Sequence, residues 1–216
     1  MKNFLVIGVG RFGRHIAKQL IALGHEVMAV DINEERVNNI LPIVNDAQIG
    51  DATNITFLRS LGIPNFDVCF VTISANFQNS LETTSLLSEL GAKRVVSRAE
   101  RDVQEKFLLR NGANFVVYPE KQFAIWSANR FSSTSLLDYT VLDSNHSIAD
   151  IVVQKEWVGK TVSEVNVRKK YSFNILAIKK GDTVTTDITP DTVFEENSTV
   201  LVLSNDKALK NYFRRL

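Results

Sequence analysis

The chain has 216 residues, of which 44% are apolar and 23% charged, and its 25 lysines and arginines balance 24 aspartates and glutamates to a formal charge of +1. This is ordinary globular composition, without the basic excess that a nucleic-acid backbone requires or an apolar run that could cross a membrane. One cysteine excludes an internal disulfide and the N-terminus leads straight into a predicted strand, so we expect a cytoplasmic protein with no signal peptide, no nucleic-acid partner and no direct membrane insertion.

Residues 1–118 alternate short apolar runs with stretches of helical period. Strands are predicted at Phe4–Ile7, Val27–Val30, Ala47–Ile49, Val68–Ile73, Val95–Val96 and Phe115–Val117. Helices are predicted at Phe12–Leu23, Glu34–Ile40, Thr53–Leu61, Ser80–Leu90 and Asp102–Asn111. Because the runs are almost wholly apolar, the strands are expected to be covered by helices on both faces. The pattern predicts an α/β domain with a Rossmann-like doubly wound parallel sheet.

A different pattern follows in residues 119–138. Glu120–Phe131 has a helical period but is apolar around most of its circumference, which is typical of a helix that is buried on more than one side. Ser132–Ser135 is a polar run that predicts a hinge. We therefore interpret residues 119–138 as a helix and hinge that separate two domains.

Residues 139–216 predict a small α+β domain. Its strands are predicted at Ile148–Val153, Asn174–Ile178, Val184–Thr185 and Thr199–Leu203, and its helices at Thr161–Val165 and Asp206–Tyr212. By the usual size of domains, this segment is too small to be an independent enzyme domain.

A glycine motif carries the strongest chemical signal. The run Gly8-Val9-Gly10-Arg11-Phe12-Gly13 follows the first predicted strand and opens the first predicted helix. Gly8 permits a tight turn, Gly10 lets phosphates approach the backbone, and Gly13 lets the helix pack closely on the sheet. The helix N-terminus then offers free N–H groups to an anion. Arg11 either reaches along a bound polyphosphate or is a solvated loop residue.

Further polar residues end the other predicted strands. Asp31 ends the second strand, where an acidic side chain binds the ribose hydroxyls of a nucleotide. Asp51 follows the third strand, and either caps the next helix or meets the adenosine edge of a nucleotide. Asn76 follows the fourth strand and Arg98 the fifth. Since the carboxyl ends of parallel strands share one edge, these residues are expected to line one site.

The sequence offers little for catalysis. It contains no Tyr-x-x-x-Lys pair, and no histidine or lysine has the setting of an acid–base group. Cys69 lies within an apolar strand and is interpreted as an inert core thiol. These features favour a binding module over the alternative, a small NAD(P)-dependent oxidoreductase.

Five segments together carry a family resemblance: Phe4–Gly13, Gly24–Asp31, Gly50–Thr53, Tyr118–Lys121 and Asn166–Tyr171. Through them the whole chain resembles the RCK (KTN) regulatory subunits of bacterial Ktr and Trk potassium uptake systems, and most of all the Ktr-type peripheral subunit. The resemblance implies a nucleotide-binding domain over residues 1–118, a crossover helix and hinge over 119–138, and a C-terminal RCK domain over 139–216.

The same resemblance implies a function in gating. Homodimers would assemble into an octameric ring at the inner face of the membrane, beneath a potassium-translocating membrane subunit. ATP and ADP would compete for the site and switch the shape of the ring. Arg11 matches a phosphate-sensing arginine and Asp31 a ribose-binding acid, while Arg98 matches a basic position. Glu120 matches a glutamate near the terminal phosphate of a neighbouring subunit's nucleotide, where a divalent or sodium ion could also bind.

The residues expected around the nucleotide are thus Gly8, Gly10, Arg11, Phe12, Gly13, Asp31, Ile32, Asn33, Asp51, Ala52, Ala75, Asn76, Arg98 and Glu120. Relatives also bind NAD or NADH at this site, so an NAD(H)-sensing regulator is an alternative. In many Gram-positive relatives the C-terminal domain binds cyclic di-AMP, and Arg168, Asn174 and Pro190 fall at matching positions. The sequence departs from that pattern at Ser172-Phe173.

Overall fold

A computed structural model describes residues 1–214; residues 215 and 216, which end the predicted C-terminal domain, lie outside the described residues. The chain divides into two compact units, Met1–Lys121 and Gln122–Leu216. Among the described residues, no helix is long and apolar enough to span a membrane.

The first unit is organised around a parallel sheet. Its strands β1–β6 are Asn3–Ile7, Glu26–Asp31, Asp46–Ile49, Val68–Val71, Val95–Arg98 and Phe115–Val117. The helices α1–α5 that follow the first five strands are Arg11–Ala22, Glu34–Ile40, Ile55–Ser60, Phe77–Glu89 and Asp102–Arg110. Helix α6, Pro119–Phe131, follows β6, and the boundary between the two units after Lys121 falls within it. The strand order is β3-β2-β1-β4-β5-β6, and every pair is parallel. This confirms the predicted Rossmann-like doubly wound sheet, whose order reverses between β1 and β4.

Both faces of this sheet are buried, as the apolar strands predict. Leu5 and Val71 belong to a core cluster on one face, together with Leu87 of α4. Val6 belongs to the cluster on the other face, together with Ala17 of α1. The alternation of neighbouring β1 residues between two cores follows from the twofold period of a strand. Cys69 is fully buried in the first cluster, and burial raises the pKa of its thiol to about 12, which agrees with an inert core thiol.

Asparagine side chains set the beginnings of the helices at the carboxyl edge of the sheet. Asn33 caps α2, since its side chain accepts a hydrogen bond from the Arg36 backbone N–H. Asn54 caps α3, so this helix begins at Ile55 and the prediction of a start at Thr53 is wrong. Asn76 caps α4 in the same way, and that helix begins earlier than Ser80.

The second unit is an antiparallel sheet with short helices. Its strands β7–β11 are Leu136–Val141, His146–Val152, Asn174–Lys180, Thr183–Thr185 and Ser198–Asn205, and its helices α7–α9 are Val162–Val165, Val167–Tyr171 and Asp206–Phe213. The strand order is β10-β9-β11-β8-β7. Its core includes the aromatic side chains of Trp157, Phe173, Phe194 and Tyr212. The predicted α+β domain is therefore confirmed.

Two elements of this unit were not predicted from the sequence. Strand β7 begins within residues 119–138, the predicted helix and hinge, and pairs with β8. Its register shifts between Leu136 and Asp138, which breaks the alternation that a strand normally shows. Helix α8 follows directly on α7, and Asn166 between them has the left-handed φ of 53°. Short helices joined by such a residue leave no continuous helical period in the sequence.

Helix α6 differs from its prediction in one respect. Of its residues 119–131, all of which the structure describes, none is buried in the single chain. Phe123 is 66% exposed and Phe131 is 75% exposed. The prediction that this helix is buried on more than one side is thus wrong for the chain by itself.

Candidate functional site

A cavity of about 510 Å³ lies at the carboxyl edge of the parallel sheet, at the switch point between β1 and β4. Ligands of doubly wound sheets bind at this place. The predicted residues that line it are Gly8, Gly10, Arg11, Asp31, Ile32, Asp51, Ala52, Ala75 and Asn76. The structure therefore brings residues from several separate strand ends into one site.

Glycine is needed at each of three loop positions for a different physical reason. Gly8 has a φ of +90°, which side chains rarely adopt, and a Cβ on it would lie 3.0 Å from the Ile73 nitrogen. A Cβ on Gly13 would lie 2.2 Å from the Gly8 carbonyl oxygen, so helix α1 can pack this closely only with glycine there. Gly10 has no atom within 4 Å of a Cβ placed on it, and it borders the cavity. An added side chain at Gly10 would therefore occupy ligand space and leave the protein's packing intact.

The N-terminus of α1 is the feature of this edge that is best suited to bind an anion. Gly10 is its N-cap residue and, in the described part of the chain, no side chain caps this helix. The neighbouring helices α2, α3 and α4 have asparagine caps that already accept from their first-turn N–H groups. The first-turn amides of α1 are thus available to a phosphate, and the helix dipole favours the negative charge.

Asp31 is a buried carboxylate, only 5% exposed, with contacts on both of its oxygens. Oδ2 accepts from the Val9 N–H at 2.8 Å, and Oδ1 accepts from the Asn33 N–H at 2.9 Å. The Arg36 guanidinium lies 3.6 Å from Oδ2. A carboxylate has about four lone-pair positions, so Asp31 can still accept from ribose hydroxyls while it holds the glycine loop.

The next strand ends add shorter polar groups. Asp51 accepts from the backbone N–H and the hydroxyl of Thr53 at 2.9 and 2.8 Å, and it does not cap α3. Of its two open interpretations, the helix cap is therefore wrong, and Asp51 remains a cavity residue. Asn76 lines the cavity as well, although its side-chain oxygen is engaged as the cap of α4.

Five predicted residues do not line this cavity: Phe12, Gly13, Asn33, Arg98 and Glu120. Arg98 and Glu120 instead pair with each other, with Arg98 Nη2 at 2.5 Å from Glu120 Oε1. The Arg98 guanidinium also lies 5.5 Å from the centroid of the Phe12 ring. Within residues 1–214, no three histidine, cysteine, aspartate or glutamate side chains are grouped as metal ligands.

Some of the residues that line this cavity were not predicted from the sequence. Arg14 and Arg36 line the cavity and add positive charge to that of Arg11. Arg36 belongs to the first turn of α2, which begins three residues after Asp31, and its position in the first turn of the helix that follows Asp31 was the available signal. Thr72 also lines the cavity and is 4% exposed, but a threonine after an apolar strand has no distinctive pattern.

A second cavity, of about 520 Å³, lies within the C-terminal unit. Arg168, Asn174 and Pro190, which the resemblance associates with a second ligand, all line it. Phe173 borders the same cavity and is fully buried, and Ser172 before it has a left-handed φ of 60°. The departure from the family pattern at these two positions thus falls beside the cavity.

Comparisons with known proteins agree with this architecture. Residues 4–119 match the TrkA-N domain and residues 148–216 the TrkA-C domain. The chain is 38% identical to Ktr system potassium uptake protein C of Bacillus subtilis, over all of this chain and 97% of that protein. It is 37% identical to potassium uptake protein A of the same system, over 98% of this chain and 95% of the relative.

Solved structures agree on the fold alone. The RCK domain of GsuK superposes with a TM-score of 0.67 at 18% identity, over 99% of this chain and 47% of that one. A GsuK channel bound to NAD superposes with a TM-score of 0.68 at 18% identity, over 96% of this chain and 38% of that one. The chain belongs to the family of TrkA-N and TrkA-C domain proteins that includes the Ktr potassium uptake proteins.

Two glycine substitutions are expected to separate folding from binding. Gly13→Ala places a methyl group against backbone and should lower stability by about 1–3 kcal/mol, as overpacking does. Gly10→Ala meets no atom and has an extended backbone that alanine adopts, so it should keep the wild-type melting temperature and lose nucleotide affinity. Thermal unfolding and calorimetric titration with ATP test both variants. Equal stability of the two variants would contradict the assigned roles.

Proposed function

We propose that this protein is a nucleotide-sensing regulatory subunit of a potassium uptake system rather than an enzyme. The observation that supports it is the cavity where the free α1 amides, the buried Asp31 carboxylate and the side chain of Arg11 converge. These groups recognise phosphate and ribose but include no acid–base pair for turnover. Family membership supports a role in potassium uptake, since relatives that match over nearly their full length are named potassium uptake proteins.

We further propose that ATP and ADP are the ligands that the site distinguishes. Arg11, Arg14 and Arg36 all border the cavity, and arginine is suited to bidentate phosphate contacts. ATP has more phosphate charge than ADP or NAD, so a site with several arginines favours it. A ligand shifts a conformational equilibrium only through different affinities for its states, and the terminal phosphate is the group by which ATP and ADP differ. NAD or NADH is the alternative ligand.

The exposed apolar side chains of α6 support a homodimer. Phe123, Ile125 and Phe131 are 66%, 49% and 75% exposed in the single chain, and such patches mark interaction surfaces. We propose that α6 is the crossover helix of a dimer, that dimers assemble into an octameric ring, and that this ring binds a potassium-translocating membrane subunit at the cytoplasmic side of the membrane. In such a ring, Glu120 at the start of α6 would lie near a neighbouring nucleotide and its cation.

The C-terminal cavity supports a second ligand. Arg168 provides a cation and Asn174 an amide at its border, and both suit a phosphodiester. We propose that cyclic di-AMP binds there. If the cavity faced its copy in the proposed dimer, the twofold symmetry of the ligand would match that arrangement.

The regulatory function predicts a loss of uptake when the ribose site is removed. In cells that lack other potassium uptake, this chain is co-expressed with the potassium-translocating membrane subunit of a Ktr system. Asp31→Ala should reduce both ATP affinity and uptake at least several-fold, because it removes charge-assisted hydrogen bonds worth about 1.5–3 kcal/mol each. Asp46→Ala, an exposed residue away from the cavity, is the control. Wild-type uptake by the Asp31 variant, or turnover of NAD(P)H by the purified protein, would contradict the proposal.

ATP and ADP should respond differently to the loss of Arg11. Arg11→Ala is expected to lower ATP affinity roughly tenfold and ADP affinity far less, since a charged hydrogen bond to the terminal phosphate is lost only for ATP. Arg59→Ala, on α3 and outside the cavity, controls for the change in net charge. Calorimetric titrations with both nucleotides measure the difference. Equal losses for ATP and ADP would remove Arg11 as the discriminating residue.

For the C-terminal cavity, Arg168→Ala should weaken binding of cyclic di-AMP at least tenfold and leave ATP binding unchanged. Lys169→Ala is the matched control, because Lys169 is the next cation along α8 and does not line the cavity. Equal effects of both substitutions would indicate only nonspecific attraction between charges.

A further inference from the structure

Thr72 lies directly after β4 and has a hydroxyl directed at the glycine loop. Its side chain is buried, with 4% of the residue exposed. Its Oγ1 lies 2.5 Å from the Gly8 carbonyl oxygen and 3.1 Å from the Ile7 carbonyl oxygen. A hydroxyl has one proton, and the shorter distance makes the Gly8 carbonyl its main acceptor. The Thr72 backbone N–H already donates to the Ile7 carbonyl at 2.8 Å, which fixes the position of Thr72 relative to β1.

The Gly8–Val9 peptide group is therefore held at both ends. Its carbonyl accepts from Thr72, and its N–H donates to Asp31 Oδ2 at 2.8 Å. Gly8 has a φ of +90°, and glycine has many other conformations open to it in the absence of such contacts. The orientation of this peptide determines where the chain enters Gly10 and hence where the first-turn amides of α1 point.

We propose that Thr72 is a positioning residue for nucleotide binding, acting through the Gly8 carbonyl rather than by contact with the ligand. This inference rests on the proposed function of the cavity. Without the hydroxyl, the Gly8 carbonyl loses its donor, and the loop populates orientations in which the α1 amides do not converge on a phosphate. The apparent dissociation constant then rises in inverse proportion to the fraction of molecules whose loop remains competent.

The test compares Thr72→Val, which keeps the shape and removes the hydroxyl, with Thr72→Ser, which keeps the hydroxyl. Thr84→Val is the matched control: Thr84 is fully buried in α4 and its hydroxyl donates to the Ser80 carbonyl, away from the loop. Calorimetric titration with ATP gives the affinity of each variant. Amide hydrogen exchange at Val9 and Gly10, measured without nucleotide, reports directly on the loop.

The proposal predicts that Thr72→Val weakens ATP binding roughly tenfold, the size expected for one buried hydrogen bond. It should also speed exchange at Val9 and Gly10. Thr72→Ser should bind within about threefold of wild type, and Thr84→Val should lower the melting temperature without changing affinity or loop exchange. Should valine prevent folding, Thr72→Ala compared with Thr72→Ser isolates the same hydroxyl without added apolar bulk.

The outcomes distinguish this inference from the proposed function. A wild-type chain that binds no nucleotide overturns both. A wild-type chain that binds ATP, with a hydroxyl-free Thr72 variant that binds equally well, overturns the positioning role and leaves the proposed function standing. A loss of affinity in Thr84→Val as large as that in Thr72→Val also overturns it, because the effect would then be one of general stability.

Discussion

The proposed nucleotide site depends on one peptide group, the one that joins Gly8 to Val9. Asp31, at the end of β2, accepts from its N–H, and Thr72, after β4, donates to its carbonyl. The loop after the central strand β1 is thereby held between its two neighbours in the sheet. Because Asp31 also faces the cavity, the residue expected to bind ribose is the one that shapes the phosphate loop. In the proposed site, ribose recognition and phosphate recognition would therefore depend on the same buried contact between Asp31 and Val9.

The sequence predicted the scaffold of this site because local rules determine it. Apolar strands, helix periods and the spacing of the glycines gave the parallel sheet and its ligand-binding edge. The packing reason for Gly13 was likewise available, since the first turn of α1 passes against the Gly8 carbonyl. Other features depend on contacts between distant segments. Thr72 is 64 residues from its acceptor Gly8, and no local pattern in the sequence marks such a pair.

Local competition explains the remaining differences. Asp51 was a reasonable candidate for a cap, but Asn54 caps α3 and leaves Asp51 in a turn at the cavity. The serine-rich run before β7 predicted a hinge, and the predicted segment extended into the first residues of β7. The strand was missed because the register shift after Leu136 interrupts its alternating pattern. Helix α6 was predicted to be buried because of its apolar surface. In the single chain it is exposed, so its burial would require a partner chain. At its start, Glu120 pairs with Arg98, whose guanidinium lies over Phe12 of α1, so the glycine-loop helix and the beginning of α6 share a side-chain contact.

The central claim is that a nucleotide binds with its phosphates on the α1 amides and its ribose on Asp31. A crystal structure of the chain grown with ATP tests this most directly. The account predicts phosphate oxygens within hydrogen-bond distance of the N–H groups that follow Gly10, ribose hydroxyls on the Asp31 carboxylate, and the contact from Asp31 to Val9 retained. A nucleotide bound elsewhere, or one in this cavity that makes no contact with either the α1 amides or Asp31, would contradict it.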